Sequence, residues 1–305
     1  MPTTQTTTSF IPVEHQYIKH DPILCLAHHL FCADLNSNPQ SDIRLTLHHA
    51  LNRYEQFDFK GWEILTVQDL IILQGLSLYF QTLPPSELRV ILEDTTAPLE
   101  QELRRRANLK DEAVKKPMCH SKLLVYRLLA QIGYGDSQAN SKMVFSALER
   151  LSTVTVIYKS TKPKSLRTPN DILAGSTNLL SFVFNIDGQL HVALNYRMSE
   201  IVMKIAQSYA LIAVKELQNI RLKATRIIHQ RLCGWMYFGE KKPFSIETLK
   251  GYVWDVTTNK ALSRKQTYKI KQALSELSSL GWIIKESKES KDIYDITRPK
   301  PTKIT

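Results

Sequence analysis

Residues 263–281 read SRKQTYKIKQALSELSSLG, and residues 282–300 continue WIIKESKESKDIYDITRPK. Ser263 with Gln266 three residues on has the form of a capping box, in which each side chain satisfies a free backbone N–H, so a helix is expected to begin at Ser263. At 100° per residue, Ile270, Ala273, Leu274, Leu277 and Leu280 share one face of that helix, and Arg264, Lys265, Tyr268, Lys271, Gln272 and Ser275 share the other. Past Gly281 the pattern changes. Trp282-Ile283-Ile284, a polar turn carrying Lys288 and Lys291, and Ile293-Tyr294-Asp295-Ile296 have the pattern of a hairpin. A basic helix followed by a basic-tipped hairpin predicts a winged helix, although a merely solvated helix carries the same charges.

The distribution of charge separates these readings. The 305 residues hold 40 Lys and Arg against 29 Asp and Glu, a formal net charge of +11. Residues 215–305 alone hold 19 Lys and Arg against 9 Asp and Glu. Nearly the whole excess therefore lies in the last third. A localised positive field is the footprint of a nucleic-acid partner, whose phosphates exchange condensed counterions for Lys and Arg. An anionic membrane would need a basic amphipathic helix with a Trp/Phe/Leu face, and no such helix is read here. No apolar run approaches the roughly 20 residues of a membrane span. The start, MPTTQTTTSF, has neither a basic opening nor an apolar stretch, so residues 1–19 are expected to be a disordered tail and the protein cytoplasmic.

Two domains of ordinary size are expected from this length: an N-terminal winged-helix domain at 20–207, with an irregular insertion at 84–118, and a C-terminal winged-helix DNA-binding domain at 208–305. The expected fold class is α+β, mainly helical. In the first domain, His20-Asp21-Pro22 opens an apolar segment to Ala33, and the loop at 36–40 closes it. Ile43, Leu45 and Leu47 alternate like a strand, with Phe57-Asp58-Phe59 as partner. Thr66 and Asp69 cap a helix from Val67 to Phe80, and Pro84-Pro85 follows its end. Arg104-Arg105-Arg106 reads as surface. A helix from Ser121 with Leu128 and Leu129 inward stops at Gly133. A second, from Asp136 or Ser137, turns Val144, Ala147, Leu148 and Leu151 inward and Gln138, Lys142, Ser146 and Glu149 outward, a helix-turn-helix spacing. Val154–Tyr158 reads as a strand, and strands 182–185 and 190–194 flank Asp187-Gly188 as a hairpin. In the second domain a helical segment (198–207) and a short strand (209–213) lead to a helix at 223–238, with Ile227, Ile228, Leu232 and Trp235 inward and Arg226 and Gln230 outward. Ser245 and Thr248 start a helix to Trp254, and a loop at 255–262 leads to Ser263.

Catalytic motifs are hard to find. The histidine pairs His28-His29 and His48-His49 are adjacent, so they do not share one helical or strand face. There is no GxxxxGK[ST] loop, HExxH, GxSxG or carboxylate cluster at metal-binding spacing. The four cysteines, Cys25, Cys32, Cys119 and Cys233, are irregularly spaced and are expected to be reduced thiols. Cys25 and Cys32 bracket His28-His29, the one pattern with zinc chemistry, but no second ligand pair accompanies them and their apolar neighbours predict a buried helix. His229 reads as a core or interfacial residue. A binding protein without metal, cofactor or enzymatic activity is expected.

The segments RIIHQRLCGW (226–235), SIETLKGYVW (245–254) and YDITRPK (294–300) resemble the C-terminal part of RepC, the replication initiators of IncQ-type plasmids. HDPILCLA (20–27) and LQG (73–75) resemble the N-terminal part; the likeness is weakest at 84–118 and 159–180. The resemblance implies two winged-helix domains and an initiator that binds direct repeats, or iterons, in double-stranded origin DNA. It also implies opening of an adjacent AT-rich segment, a plasmid-encoded helicase and primase as partners, and possible self-association. By that analogy helix 263–280 enters the major groove. Ser263, Arg264, Lys265, Tyr268, Lys271 and Gln272 are then candidates for base-edge and phosphate contacts. Lys288, Lys291, Arg298 and Lys300 are candidates for phosphates, and the first domain offers Gln138 and Lys142. The alternatives are a winged-helix transcriptional regulator, which the same surfaces would serve, and a chiefly protein-binding helicase-recruiting adaptor; a cryptic nuclease is a distant third.

Overall fold

The chain enters its fold earlier than the expected tail allows: Tyr17–His20 (β1) pairs antiparallel with Ala210–Ala213. The computed structural model describes residues 16–33, 45–50, 54–166, 173–254, 259–287 and 290–301, with backbone only at 45–50. The rest of the predicted tail, the loop at 36–40, Ile43 of the predicted strand, residues 255–258 of the predicted loop and Lys288 lie outside these residues. Asp21 caps a five-residue helix, Pro22–Leu26 (α1), by accepting from the Ile23 N–H. The apolar segment does not run on as one helix to Ala33. The chain turns at His29, whose φ is +58°, and enters Phe31–Cys32 (β2). Leu45–Ala50 (β3) and Glu55–Gly61 (β4) form the expected antiparallel pair, and Leu65–Thr66 (β5) lies parallel to β2. Val67–Gln81 (α2) follows its capping box, in which Asp69 accepts from the Thr66 N–H. This helix is apolar on almost every side and is buried on almost every side, as such a helix must be.

Residues after α2 hold more order than a loop. They form Arg89–Ile91 (β6), Pro98–Arg106 (α3) and Lys110–Asp111 (β7), and Arg104 donates to the carbonyls of Ile91, Val114 and Lys116. Met118–Lys122 (β8) is a strand where a helix start is predicted; the helix is Val125–Gln131 (α4). Gln138–Thr153 (α5) begins at its Ser137 cap. Thr155–Ser160 (β9) and Ala174–Asn178 (β10) precede the hairpin Leu180–Phe184 (β11) and Leu190–Leu194 (β12).

Tyr196–Val202 (α6), Ala210–Ala213 (β13) and Val214–Asn219 (α7) lead to Lys223–Trp235 (α8). Lys241–Ser245 (β14) and Ile246–Val253 (α9) follow, the latter capped by Ser245 as predicted. Lys260–Ser279 (α10) then delivers the chain to Ile283–Glu286 (β15) and Ile293–Thr297 (β16). With sheets of five, four and three strands beside these helices, the protein is α+β.

One order of elements occurs twice. Helix, strand, helix, helix and hairpin are α2, β8, α4, α5 and β11–β12 in the first instance, and α8, β14, α9, α10 and β15–β16 in the second. The pairing is the same too. The second hairpin strand lies between the first and the lone strand, β11-β12-β8 in one sheet and β15-β16-β14 in the other. The first instance is interrupted at residues 82–117 and by β9–β10, which join the five-stranded sheet β3-β4-β9-β10-β7. One hydrophobic core runs through both, from Ile18 through α2 and α8 to Ile296.

Candidate nucleic-acid interface

Helix α10 is capped four residues earlier than the capping box predicts. Asn259 is the cap, accepting from the N–H groups of Ala261 and Leu262, so Ser263 lies inside the first turn. Ser263 instead accepts from the Lys250 ammonium at 2.7 Å, and the same ammonium donates to Glu247 at 2.9 Å. These bonds tie α10 to α9. Gln266, Ile270, Ala273, Leu274 and Leu277 are buried. Arg264, Lys265, Tyr268, Lys271 and Gln272 are exposed, as the helical wheel requires. Tyr268 is 63% exposed, and its hydroxyl accepts from the Gln272 side-chain amide at 3.2 Å, one turn further on. The one carboxylate of α10, Glu276, is turned inward and accepts from the Arg221 N–H at 2.7 Å and from the Leu222 N–H, closing the N-terminus of α8. Anionic charge there is favoured by the helix dipole. The outer face of α10 is left with cations and hydrogen-bonding groups.

The hairpin joins this face through Lys271, whose ammonium lies 3.8 Å from Asp292, both half exposed. Lys291 at the hairpin and Lys300 beyond it are exposed. Lys300 lays its methylene stem over Gly239, whose φ of +77° favours glycine. Lys260 and Lys285, which the sequence reading omits, are exposed in the same unit.

Arg298 does not belong to this surface. It is 4% exposed, donates to the carbonyls of Cys233 at 3.0 Å, Met236 at 2.6 Å and Leu211, and stacks on Phe238. Carbonyls at a helix end lack intrahelical partners, and Arg298 supplies them at the end of α8 with a charge that suits the dipole. In the first instance of the repeat, Gln138 and Lys142 are exposed on α5 as predicted. Its hairpin tip offers no cation: Ile186 is fully exposed there, beside Asp187 and Gly188.

Three of the motifs that carry the family likeness, RIIHQRLCGW, HDPILCLA and LQG, lie elsewhere, at the joint between the two instances. Arg226 and Gln230 are buried rather than outside, and Trp235 is 51% exposed rather than packed inward, with Lys242 over its ring. Arg226 donates to the carbonyls of Leu217 and Ile220. Gln230 donates to the Leu24 carbonyl at 2.7 Å and accepts from Gln74 of α2 at 2.8 Å. Arg231 donates to the Leu26 carbonyl, contacts His28 and lies over Tyr252. Gly234 passes so close to α1 that an added Cβ would meet Cys25 Cβ at 2.5 Å. Thus the HQRLCG stretch binds HDPILCLA and LQG into one joint.

His229 is wholly buried and meets the Glu216 carboxylate at 2.5 Å. Burial opposes charge on this imidazole, but Cys233 and Glu216 outweigh it and push its pKa up to about 10. The Glu216 carboxyl is lowered despite its burial, by its bonds to His229 and to the Trp282 indole N–H. The Cys25–Cys32 pattern does not assemble into a ligand set among the described residues: Cys25 Sγ faces His20 and Cys32 Sγ faces the His29 carbonyl.

A positively charged helix stands beside a hairpin on an α+β frame, and such a localised positive field suits a polyanionic partner. The class follows from comparison: the family model described as Replication protein C (RepC) matches residues 13–300, and the chain belongs to that family of replication proteins. A search of curated proteins finds no match. Among solved structures the chain is similar to domains 2 and 3 of RctB in two crystal structures, both at 12% identity. The TM-scores are 0.48 and 0.47, covering 89% and 91% of this chain and 95% and 96% of those chains. No described helix is long and apolar enough to cross a membrane.

Proposed function

We propose that this protein is a plasmid replication initiator that binds direct repeats in double-stranded origin DNA through two tandem winged-helix units, 20–207 and 208–305. The observation that carries the reading is the outer face of α10, where Arg264, Lys265, Tyr268, Lys271 and Gln272 are exposed together beside the hairpin. Helix α10 enters the major groove; Arg264 or Lys271 reads guanine and Gln272 adenine. Lys291 and Lys300, with Lys288, hold phosphates and set the register. The protein acts by binding, without chemistry of its own.

Opening an adjacent AT-rich segment without a nucleotide motor draws on binding energy and superhelical stress. Bending a site costs on the order of 1–6 kcal/mol, which several initiators on neighbouring repeats supply together. The opened segment then receives the plasmid helicase and primase, and neighbouring copies contact one another through the less basic first unit.

Fluorescence anisotropy with repeat-containing and random duplexes across a salt series tests this. Repeats should bind at least about a thousandfold tighter at moderate salt. Equal affinity for both duplexes would sink the initiator reading.

A further inference from the structure

Glu216, His229 and Cys233 bring a carboxylate oxygen, an imidazole nitrogen and a thiol sulfur to within 4.8 Å of one another. His229 and Cys233 stand one turn apart on α8, so both side chains fall on the same face. Glu216 comes from α7, which β13 places against α8. The Glu216 oxygen lies 2.5 Å and the Cys233 sulfur 3.5 Å from the same ring nitrogen, His229 Nε2. That nitrogen carries at most one proton, which satisfies one of the two groups facing it. Three donors converging on one point is the arrangement a cation satisfies at once.

We propose that Glu216, His229 and Cys233 form a binding site for a thiophilic divalent cation of the zinc class. Mixed nitrogen, sulfur and oxygen donors suit this class and exclude magnesium and calcium, which take oxygen alone. In a tetrahedral site the Nε2–Sγ separation of 3.5 Å already matches two ligands about 2.0–2.3 Å from one metal. The Nε2–oxygen separation has to widen as the metal replaces the shared proton. Glu216 keeps 14% of its side-chain exposure, so solvent can reach the site and would supply the fourth ligand. The Trp282 indole N–H, 3.4 Å from the Glu216 oxygen, orients that ligand from outside, as groups around metal ligands commonly do.

The position gives the site its consequence. Trp282 opens the hairpin and Arg298 at the hairpin's end grips the Cys233 carbonyl, so a metal here would lock α7, α8 and the base of the hairpin together. It would fix how the helix–hairpin unit is held to the rest of the chain. The inference does not depend on the DNA-binding reading.

Titrating the full-length, reduced protein with Co²⁺ is the test. One cobalt per chain should bind, with thiolate-to-metal charge-transfer absorption and visible bands of tetrahedral intensity, and Zn²⁺ should displace it. Cys233→Ser should abolish the charge-transfer band while circular dichroism remains that of the parent. No stoichiometric uptake by the parent, or a band that survives in folded Cys233→Ser, overturns the proposal. If that variant fails to fold, X-ray absorption of the zinc-loaded parent decides. One sulfur among the ligands supports the site; none, or more than one, overturns it.

Discussion

The two helix–strand–helix–helix–hairpin units share an order and a strand pairing, yet they brace their first and third helices with opposite charges. In the first unit Asp69, in the opening turn of α2, receives Arg150 from α5 at 2.8 Å. In the second unit α10 supplies the anion itself, and Glu276 closes the N-terminus of α8. Both arrangements place a carboxylate at a helix N-terminus, where the dipole favours it. The consequence for the outer surface differs. In α5 the bracing turns a cation inward and leaves Lys142 exposed with Glu149 on the same face two turns on; in α10 it turns the acid inward and leaves Arg264, Lys265 and Lys271 exposed. The same joint, with its polarity reversed, separates a near-neutral third helix from a basic one.

The largest effect expected from breaking this comparison is on stability. Asp69 has a fully buried side chain that keeps only its bonds from Thr66 when Arg150 is removed, so Arg150→Ala leaves a buried carboxylate without its counter-ion and should cost about 3 kcal/mol. Glu276→Ala removes a cap at a partly exposed helix start and should cost about 1 kcal/mol. Urea unfolding of both variants measures the gap, and equal losses would mean that burial does not set the two braces apart.

On DNA the ranking inverts. Arg264→Ala should lose about 1–3 kcal/mol of discrimination between repeat and random duplex, roughly 5- to 150-fold in relative affinity. Lys142→Ala on α5 should weaken binding a few-fold at most, equally for every sequence, and lower the salt slope by about one. A loss of sequence preference in Lys142→Ala would move base reading to the first unit.

Acidity should also distinguish the units. Burial lowers the pKa of His120 on β8, outweighing the Glu100 carboxylate nearby, and lowers that of His191 on the adjoining β12. A base whose pKa falls on folding contributes stability that is complete above its unfolded value of 6.5 and is lost as the pH drops below it. The sheet β14-β16-β15 contains no histidine. Amide exchange on going from about pH 7 to about pH 5, corrected for intrinsic rates, should therefore accelerate in β8 and β12 and not in β14–β16. His120→Phe should remove most of the response.

The second unit is legible in the sequence because its helices are amphipathic and its caps are local: Ser245, the α10 wheel and the hairpin all follow from spacings of a few residues. Its start is misread because Asn259 and Ser263 are both competent caps, and only the contact with Lys250 shows which is used elsewhere. The first unit is less legible. β8 sits directly before α4, and Met118–Lys122 carries no strong alternation, so its strand identity comes from β12 and β6 on either side. Gln230 and Arg226 are read as outward because polar residues on a wheel ordinarily face water. Their partners, Leu24, Gln74 and the carbonyls at Leu217 and Ile220, come from segments whose proximity no local pattern records. Arg298 is misassigned for the same reason: a basic residue after a hairpin has the signature of a phosphate contact until the open carbonyls of α8 are seen beneath it. The candidate DNA face was readable as an exposed periodic surface; the joint built from the family-like motifs was not.

The smallest expected effect separates helices by how tightly each is enclosed. In α2 a Cβ added at Gly75 would meet Ile132 Cγ2 at 2.6 Å and Leu128 Cδ1 at 3.0 Å, so Gly75→Ala overpacks the junction with α4 and should destabilise by about 1–3 kcal/mol. In α9 a Cβ at Gly251 would meet nothing within 4 Å. There the residue is helical and its side-chain direction is open, so alanine removes backbone freedom from the unfolded chain without a clash. Gly251→Ala should therefore stabilise by about 0.5–1 kcal/mol. The sign is the informative quantity. A destabilised Gly251→Ala in isolated protein would show that α9 has a neighbour on that side, whereas stabilisation accompanied by weaker DNA binding would place a phosphate against Gly251 and extend the interface from α10 to the helix before it.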